Sequence, residues 1–226
     1  MSSVSKYSLS PSNTDLVNCE TVPDVTNLCF TITTSLDSDY SSQRSNLRNV
    51  VDIKPSGMTH SLYTLQLQIP SAHHTNYFLK DTLTNAVVVD GVKALMNTDM
   101  DLNVQSSKNP VTLLFKQASI FRRQYKYTWE GRAYRWELHL NNRITLSRQL
   151  AGNHTKKYEL IGSAKLYNVK PERVQQTYTR FEIDARVYQD VHDKIAFEHV
   201  TIMTLCLFID TVGPGLILFP QDRVMS

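Results

Sequence analysis

At 226 residues, 41% hydrophobic and 20% charged, the chain has apolar material for one sizeable core plus a tail, and is too apolar to be wholly disordered. Its 7 glycines are too few for glycine-patterned repeats or Gly-rich phosphate cradles, while 11 tyrosines and frequent β-branched residues suit half-buried pleated surfaces. The formal net charge of +3 is unevenly spread. Residues 111–150 carry eight Lys and Arg against Glu130 and Glu137, a net +6, whereas residues 1–50 carry three basic side chains against five acidic, a net −2.

Residues 1–47 are rich in Ser, Thr, Asn and Asp with no sustained period, and read as a disordered tail. The Ser-rich stretch from Met1 to Ser12 has no apolar segment of the kind a signal peptide needs. Within the tail, Leu28-Cys29-Phe30-Thr31-Ile32 reads either as a short docking strand or as unstructured chain. Cys19, Cys29 and Cys206 form an odd set with no pair at metal spacing. That usage points to an intracellular protein, cytoplasmic or peripheral to membranes. In that setting the Asn153-His154-Thr155 sequon is expected by chance alone.

Order is expected to begin near Val50-Val51-Asp52-Ile53, with a globular domain over residues 48–220 and a short carboxyl tail at 221–226. Leu62 to Ile69 alternates, with Leu65, Leu67 and Ile69 on one face and Gln66 and Gln68 on the other, until Pro70 ends it. Tyr77 to Lys80, a polar turn at 81–85, and Ala86 to Val89 read as a hairpin. Val111 to Phe115, Tyr125 to Trp129, Tyr134 to Leu140, Arg143 to Arg148, Tyr158 to Leu166 and Thr179 to Tyr188 continue the series. Short strands at this spacing suggest a barrel or a sandwich.

The segment from Phe121 to Leu140 selects its own register. A turn centred on Glu130-Gly131 sets Tyr127 against Tyr134, Tyr125 against Trp136 and Phe121 against Leu140 on one face. Lys126 then opposes Arg135, Gln124 opposes Glu137 and Arg122 opposes His139 on the other. A one-residue slip would mix rings and charges on both faces. Glu-Gly is not an ideal two-residue turn, so a four-residue loop is expected.

Asp193 to Val212 reads as a helix with almost no polar face, stopped by Gly213-Pro214-Gly215 and followed by a short strand, Leu216 to Phe219. Its uninterrupted apolar stretch, from His199 to Asp210, is about half the roughly 20 residues that a bilayer requires. A hydrophobic helix among strands must be enclosed by them. The expectation is a mainly β domain, a closed antiparallel sheet wrapped around one buried carboxyl-terminal helix.

That arrangement resembles the tubby C-terminal-like superfamily, which also takes in LURP-one-related proteins and, by fold, the phospholipid scramblases. The resemblance rests on the Trp129-Glu130-Gly131-Arg132-Ala133-Tyr134-Arg135-Trp136 hairpin and on the Phe197 to Val212 helix with its following strand. It covers roughly residues 48–220 and implies an antiparallel barrel of about twelve strands threaded by the helix. No tubby signature aligns the family's phosphoinositide-contacting lysine and arginine onto named positions here.

Catalytic patterns are wanting. His73-His74 has no third ligand at familiar spacing, and His192-Asp193 and Glu198-His199 lack the i, i+4 histidine pair of a zinc hydrolase. Glu182 and Asp184 share a strand face, as strands routinely arrange. No nucleophile elbow or P-loop is present, so neither an enzyme nor a cofactor is implied. The aromatics and most bases of 121–136 segregate to opposite faces, with Arg123 the exception, which argues against a nucleic-acid stacking platform.

The expected function is therefore a non-enzymatic binding module. Arg122, Lys126 and Arg135 would meet anionic lipid headgroups, phosphoinositides included, on a basic sheet face. The alternatives are an interaction or structural module recruiting a protein through the acidic, Ser-rich tail or an exposed loop, and a scramblase-like protein with residues 195–219 in a membrane. Asp210 and the Gly-Pro-Gly stop make the last of these costly.

Overall fold

The computed structural model describes residues 27–34, 47–71, 73–94, 97–119, 121, 123–150, 157–168 and 177–212. Twelve strands follow in order: β1 (Asn27–Thr34), β2 (Leu47–Pro55), β3 (Tyr63–Ser71), β4 (His74–Asp81), β5 (Val87–Ala94) and β6 (Met100–Val104), then β7 (Val111–Ser119), β8 (Gln124–Trp129), β9 (Arg132–Leu138), β10 (Arg143–Gln149), β11 (Tyr158–Asn168) and β12 (Thr177–Asp184). Each pairs antiparallel with its neighbour in sequence, and β1 pairs with both β2 and β12, so the sheet closes into a barrel. Closure satisfies every strand edge. A 3-10 helix, Ala185–Asp190, leads into α1 (Lys194–Val212), the single α-helix among the described residues. The expected closed antiparallel barrel around one buried hydrophobic helix is the architecture found.

Period-two alternation builds the wall. In β6, Met100, Leu102 and Val104 point inward while Asp101 and Asn103 face out. This strand has no counterpart in the sequence-based series, because five residues between polar loops give little periodicity to read. β1 lies within the stretch read as a tail. Among its described side chains only Phe30 and Ile32 belong to the buried core, yet its pairing with β12 and β2 completes the ring. Residues 1–26 and 35–46, the strand expected at 216–219 and the tail at 221–226 lie outside the described residues.

Two expected strand ends move. Pro70 sits inside β3, where pairing with β4 shifts between Gln68 and Ser71, and a bulge tolerates the missing N–H. The strand expected to reach Tyr188 ends at Asp184, whose carboxylate accepts the Arg186 N–H and starts the 3-10 turn.

The hairpin register is as the pattern requires: Tyr127 pairs with Tyr134, Tyr125 with Trp136, Lys126 with Arg135 and Gln124 with Glu137. All four rings are buried. The turn is a correction. Trp129 pairs directly with Arg132, leaving a two-residue loop in which Glu130 and Gly131 both take positive φ, 46° and 75°. Primed hairpin turns need that geometry, which a glutamate adopts only at a cost. The Glu130 carboxylate accepts the backbone N–H groups of His192 and Asp193 at 2.9 and 3.0 Å, and these bonds hold the turn against the start of α1.

A second correction concerns Phe121 and Leu140. β8 begins only at Gln124, and Arg123 turns the chain with φ 46°. Both side chains therefore leave the sheet instead of extending its inner face.

Helix α1 is buried on every side, from Phe197 through Ile209. By length and hydropathy it would suffice to cross a membrane, but 78% of it is enclosed by the strands. Asp193 caps its first turn by accepting the Ala196 N–H, and the same carboxylate accepts the Ser106 and Ser107 hydroxyls and the Ser107 N–H from the β6–β7 loop. Its anchored amino end thus faces the β8–β9 turn.

Where β10 and β11 slip between Leu146 and Ser147, Gly162 brings its backbone against β12. A Cβ there would meet the Glu182 carbonyl oxygen at 2.9 Å and the Phe181 ring at 3.2 Å. Gly162→Ala is expected to destabilise the barrel by about 1–3 kcal/mol, read as a lower urea midpoint at unchanged slope. An unshifted midpoint would contradict this account of the close approach.

Candidate anionic-ligand face

The aromatic inner face of β8 and β9 forces the intervening residues outward. Lys126 and Arg135 are therefore direct cross-strand partners on the outer surface, both half-buried. β7 extends the row, because Lys116 pairs with Lys126 in turn. Three cations thus lie side by side on adjacent strands. Lys116 was not among the residues singled out from sequence, although Leu113 and Phe115 inward imply Lys116 outward. The third expected member, Arg122, lies outside the described residues.

Arg135 lies flat against the wall. Its guanidinium carbon is 4.3 Å from the centre of the Tyr158 ring on β11, and its Nε is buried without a hydrogen-bond partner. The nearby acid, Glu137, accepts from Gln124 at 2.8 Å. None of Lys116, Lys126 and Arg135 has a carboxylate within ion-pair distance among the described residues. Other outward arginines do. Arg132 and Arg148 share Asp190 at 3.5 and 3.1 Å, Arg148 also meets Glu159, Arg180 meets Glu182 at 3.0 Å, and Arg186 meets Asp184. The positive excess of residues 111–150 is thereby neutralised at its β9–β10 margin and left open at the β7–β9 row.

The other residues weighed for chemistry are occupied. Glu182 and Asp184 each pair with an arginine and not with one another. His73 and His74 are exposed, and His192 sits 3.2 Å from Glu130. Among the described residues no group of three or more His, Cys, Asp or Glu side chains is placed to hold a metal. The rings of Tyr125, Tyr127, Tyr134 and Trp136 are in the core, where no base could stack on them.

Glu198 and Asp210 of α1 face the barrel wall. Tyr63 donates to Glu198 at 2.7 Å and Tyr77 to Asp210 at 2.9 Å, with Lys93 3.9 Å from Asp210. Burial holds both carboxyls above the usual carboxylate range. His199 is buried with its ring edge-on to Tyr63, and its Nδ1 has no partner. These groups line the wall of a filled core, and the arrangement presents no reactive pair to solvent.

Comparison with family models, with curated proteins and with solved structures found no match for the chain. The fold and the side-chain chemistry therefore carry the functional argument.

Burial pushes the His199 pKa from 6.5 down to about 4. The unfolded chain then takes up this proton first, so the contribution to stability is complete above pH 6.5 and is lost as pH falls to about 4. Glu198 and Asp210 act with the opposite sign, so the informative quantity is the difference between wild type and His199→Leu. Wild type is expected to lose about 3 kcal/mol more than the variant over that interval, measured by urea unfolding. Parallel pH profiles would show that His199 is solvated in the folded chain.

Proposed function

We propose that this barrel is a non-enzymatic module that binds anionic lipid headgroups, phosphoinositides among them, through the outer face of β7, β8 and β9. The observation that carries the reading is the Lys116–Lys126–Arg135 row. Like charges directly opposed across strands are destabilising, and here two successive pairs are both cationic without a carboxylate in ion-pair distance among the described residues. An anionic ligand spanning the row would relieve that repulsion. Phosphate oxygens suit it because guanidinium and ammonium donors can share several acceptors.

The barrel enclosing a hydrophobic helix supports placing the domain with the tubby-like proteins, and the lipid reading agrees with that placement. On this proposal the protein is intracellular and associates with membranes peripherally. Its helix stays inside the barrel, and the wall meets the bilayer.

The test is sedimentation of the full chain with phosphatidylcholine, mixed phosphatidylserine and mixed phosphoinositide vesicles at low and moderate salt. Pelleting is expected with the anionic vesicles only, and weaker as salt rises. At about 1 kcal/mol per near-surface base, changing Lys116, Lys126 and Arg135 together to Gln should weaken binding about a hundredfold without lowering the melting temperature. Wild-type pelleting by that variant would remove this face from the proposal. Absence of pelleting by the wild type would remove the lipid reading and leave recruitment of a protein as the better account.

A further inference from the structure

Phe121 and Leu140 are the two most exposed large apolar side chains among the described residues, at 99% and 107% of full exposure. They sit on adjacent connections. Phe121 lies just before β8 and Leu140 just after β9, and the Leu138 N–H donates to the Arg123 carbonyl at 3.4 Å between them. The β7–β8 and β9–β10 loops therefore leave the barrel side by side, at the end away from the Glu130 turn. Nothing in the fold gains from holding a phenylalanine and a leucine wholly in water.

Their surroundings are basic. Arg123 and Arg143 are exposed on the same two loops or at their edges, and exposed Lys165 is the cross-strand partner of Arg143. Of the described acids near this end, Asp101 is exposed on β6 and two others are engaged. Asp99 accepts the Gln117 N–H at 3.1 Å, and Glu137 accepts from Gln124. The opposite end also exposes apolar side chains, Met58, Leu83 and Ile195, but among the carboxylates of Asp81, Glu130 and Asp193. Among the described residues, the Phe121 and Leu140 end joins protruding apolar tips to Arg123 and Arg143, neither of which lies within ion-pair distance of a carboxylate.

We propose that Phe121 and Leu140 insert into the bilayer interface while Arg123 and Arg143 meet the anionic headgroups around them. This deepens the lipid-binding reading and rests on it. It fixes which end of the barrel enters the membrane and adds an apolar contribution that the cationic row cannot supply. Interfacial anchoring combines these same two attractions, apolar burial and headgroup charge.

The experiment compares partitioning of the full-length wild type, a Phe121→Ser/Leu140→Ser variant and the Gln variant at Lys116, Lys126 and Arg135. The probes are mixed phosphatidylcholine–phosphatidylserine vesicles at low and moderate salt. The loop variant is expected to lose about tenfold or more in partitioning, and to keep that deficit at moderate salt, because apolar transfer is not screened. Both side chains are exposed, so its melting temperature should match wild type. As a second readout, Phe121→Trp in vesicles carrying bromine-labelled phosphatidylcholine should be quenched beyond wild type, whose Trp129 and Trp136 are buried.

Wild-type partitioning of the loop variant, or an unquenched Phe121→Trp, overturns the insertion and leaves the cationic-face reading standing. Failure of the wild type to bind these vesicles at either salt overturns the insertion, and failure with phosphoinositide vesicles as well overturns both readings together.

Discussion

An α-helix that is apolar on every face cannot rest on a sheet, because any arrangement covering one side leaves the other in water. Phe197, Val200, Ile202, Leu205, Leu207 and Phe208 point in all directions from the α1 axis and are all buried. Each such side chain contributes about 1.5–3 kcal/mol when removed from water, so the demand for cover is large. A sheet closed on itself is the simplest cover of uniform thickness. The barrel needs the helix in return, since twelve strands enclose a bore wider than their own inward side chains fill. Wall and helix are therefore one core.

Apolar burial alone would let such a helix slide or rotate. Several polar side chains on α1 oppose that, reached from different parts of the wall. Trp136 donates to Thr204 at 3.0 Å, Tyr63 to Glu198, Tyr77 to Asp210, and the amino end is held by Asp193 and Glu130. Left unpaired, each buried group would carry a desolvation penalty of about 1–3 kcal/mol, so displaced registers are penalised together. The strained Glu130 turn belongs to the same system. Its positive φ aims the carboxylate at two N–H groups that open the helix, converting a local backbone cost into a tertiary bond.

With the interior filled, recognition falls to the outside. The alternation that sends tyrosines inward sends Lys126 and Arg135 outward, so the core and the basic face are two consequences of one strand pattern. The loop tips follow a different rule: beyond the last paired residues the alternation no longer applies, and Phe121 and Leu140 emerge where extrapolation would have buried them.

Sequence alone determined whatever depends on neighbours along the chain. The period-two pattern around Trp129–Trp136 admits one register, and the featureless apolar run of α1 requires enclosure, so the hairpin pairing and the barrel around a helix were both legible. The inward or outward sense of Lys126 and Arg135 came with them. Tertiary structure decided what depends on partners distant in sequence. β1 has only two core residues among its described side chains and becomes a strand because β2 and β12 both offer it hydrogen bonds. The Glu130-Gly131 turn tightens to two residues because His192 and Asp193, some sixty positions away, supply the donors that hold it. Lys116 joins the cationic row only through its pairing with Lys126 across β7 and β8. Local propensity cannot encode these features, since the energy that fixes each one comes from a contact that exists only after the sheet has closed.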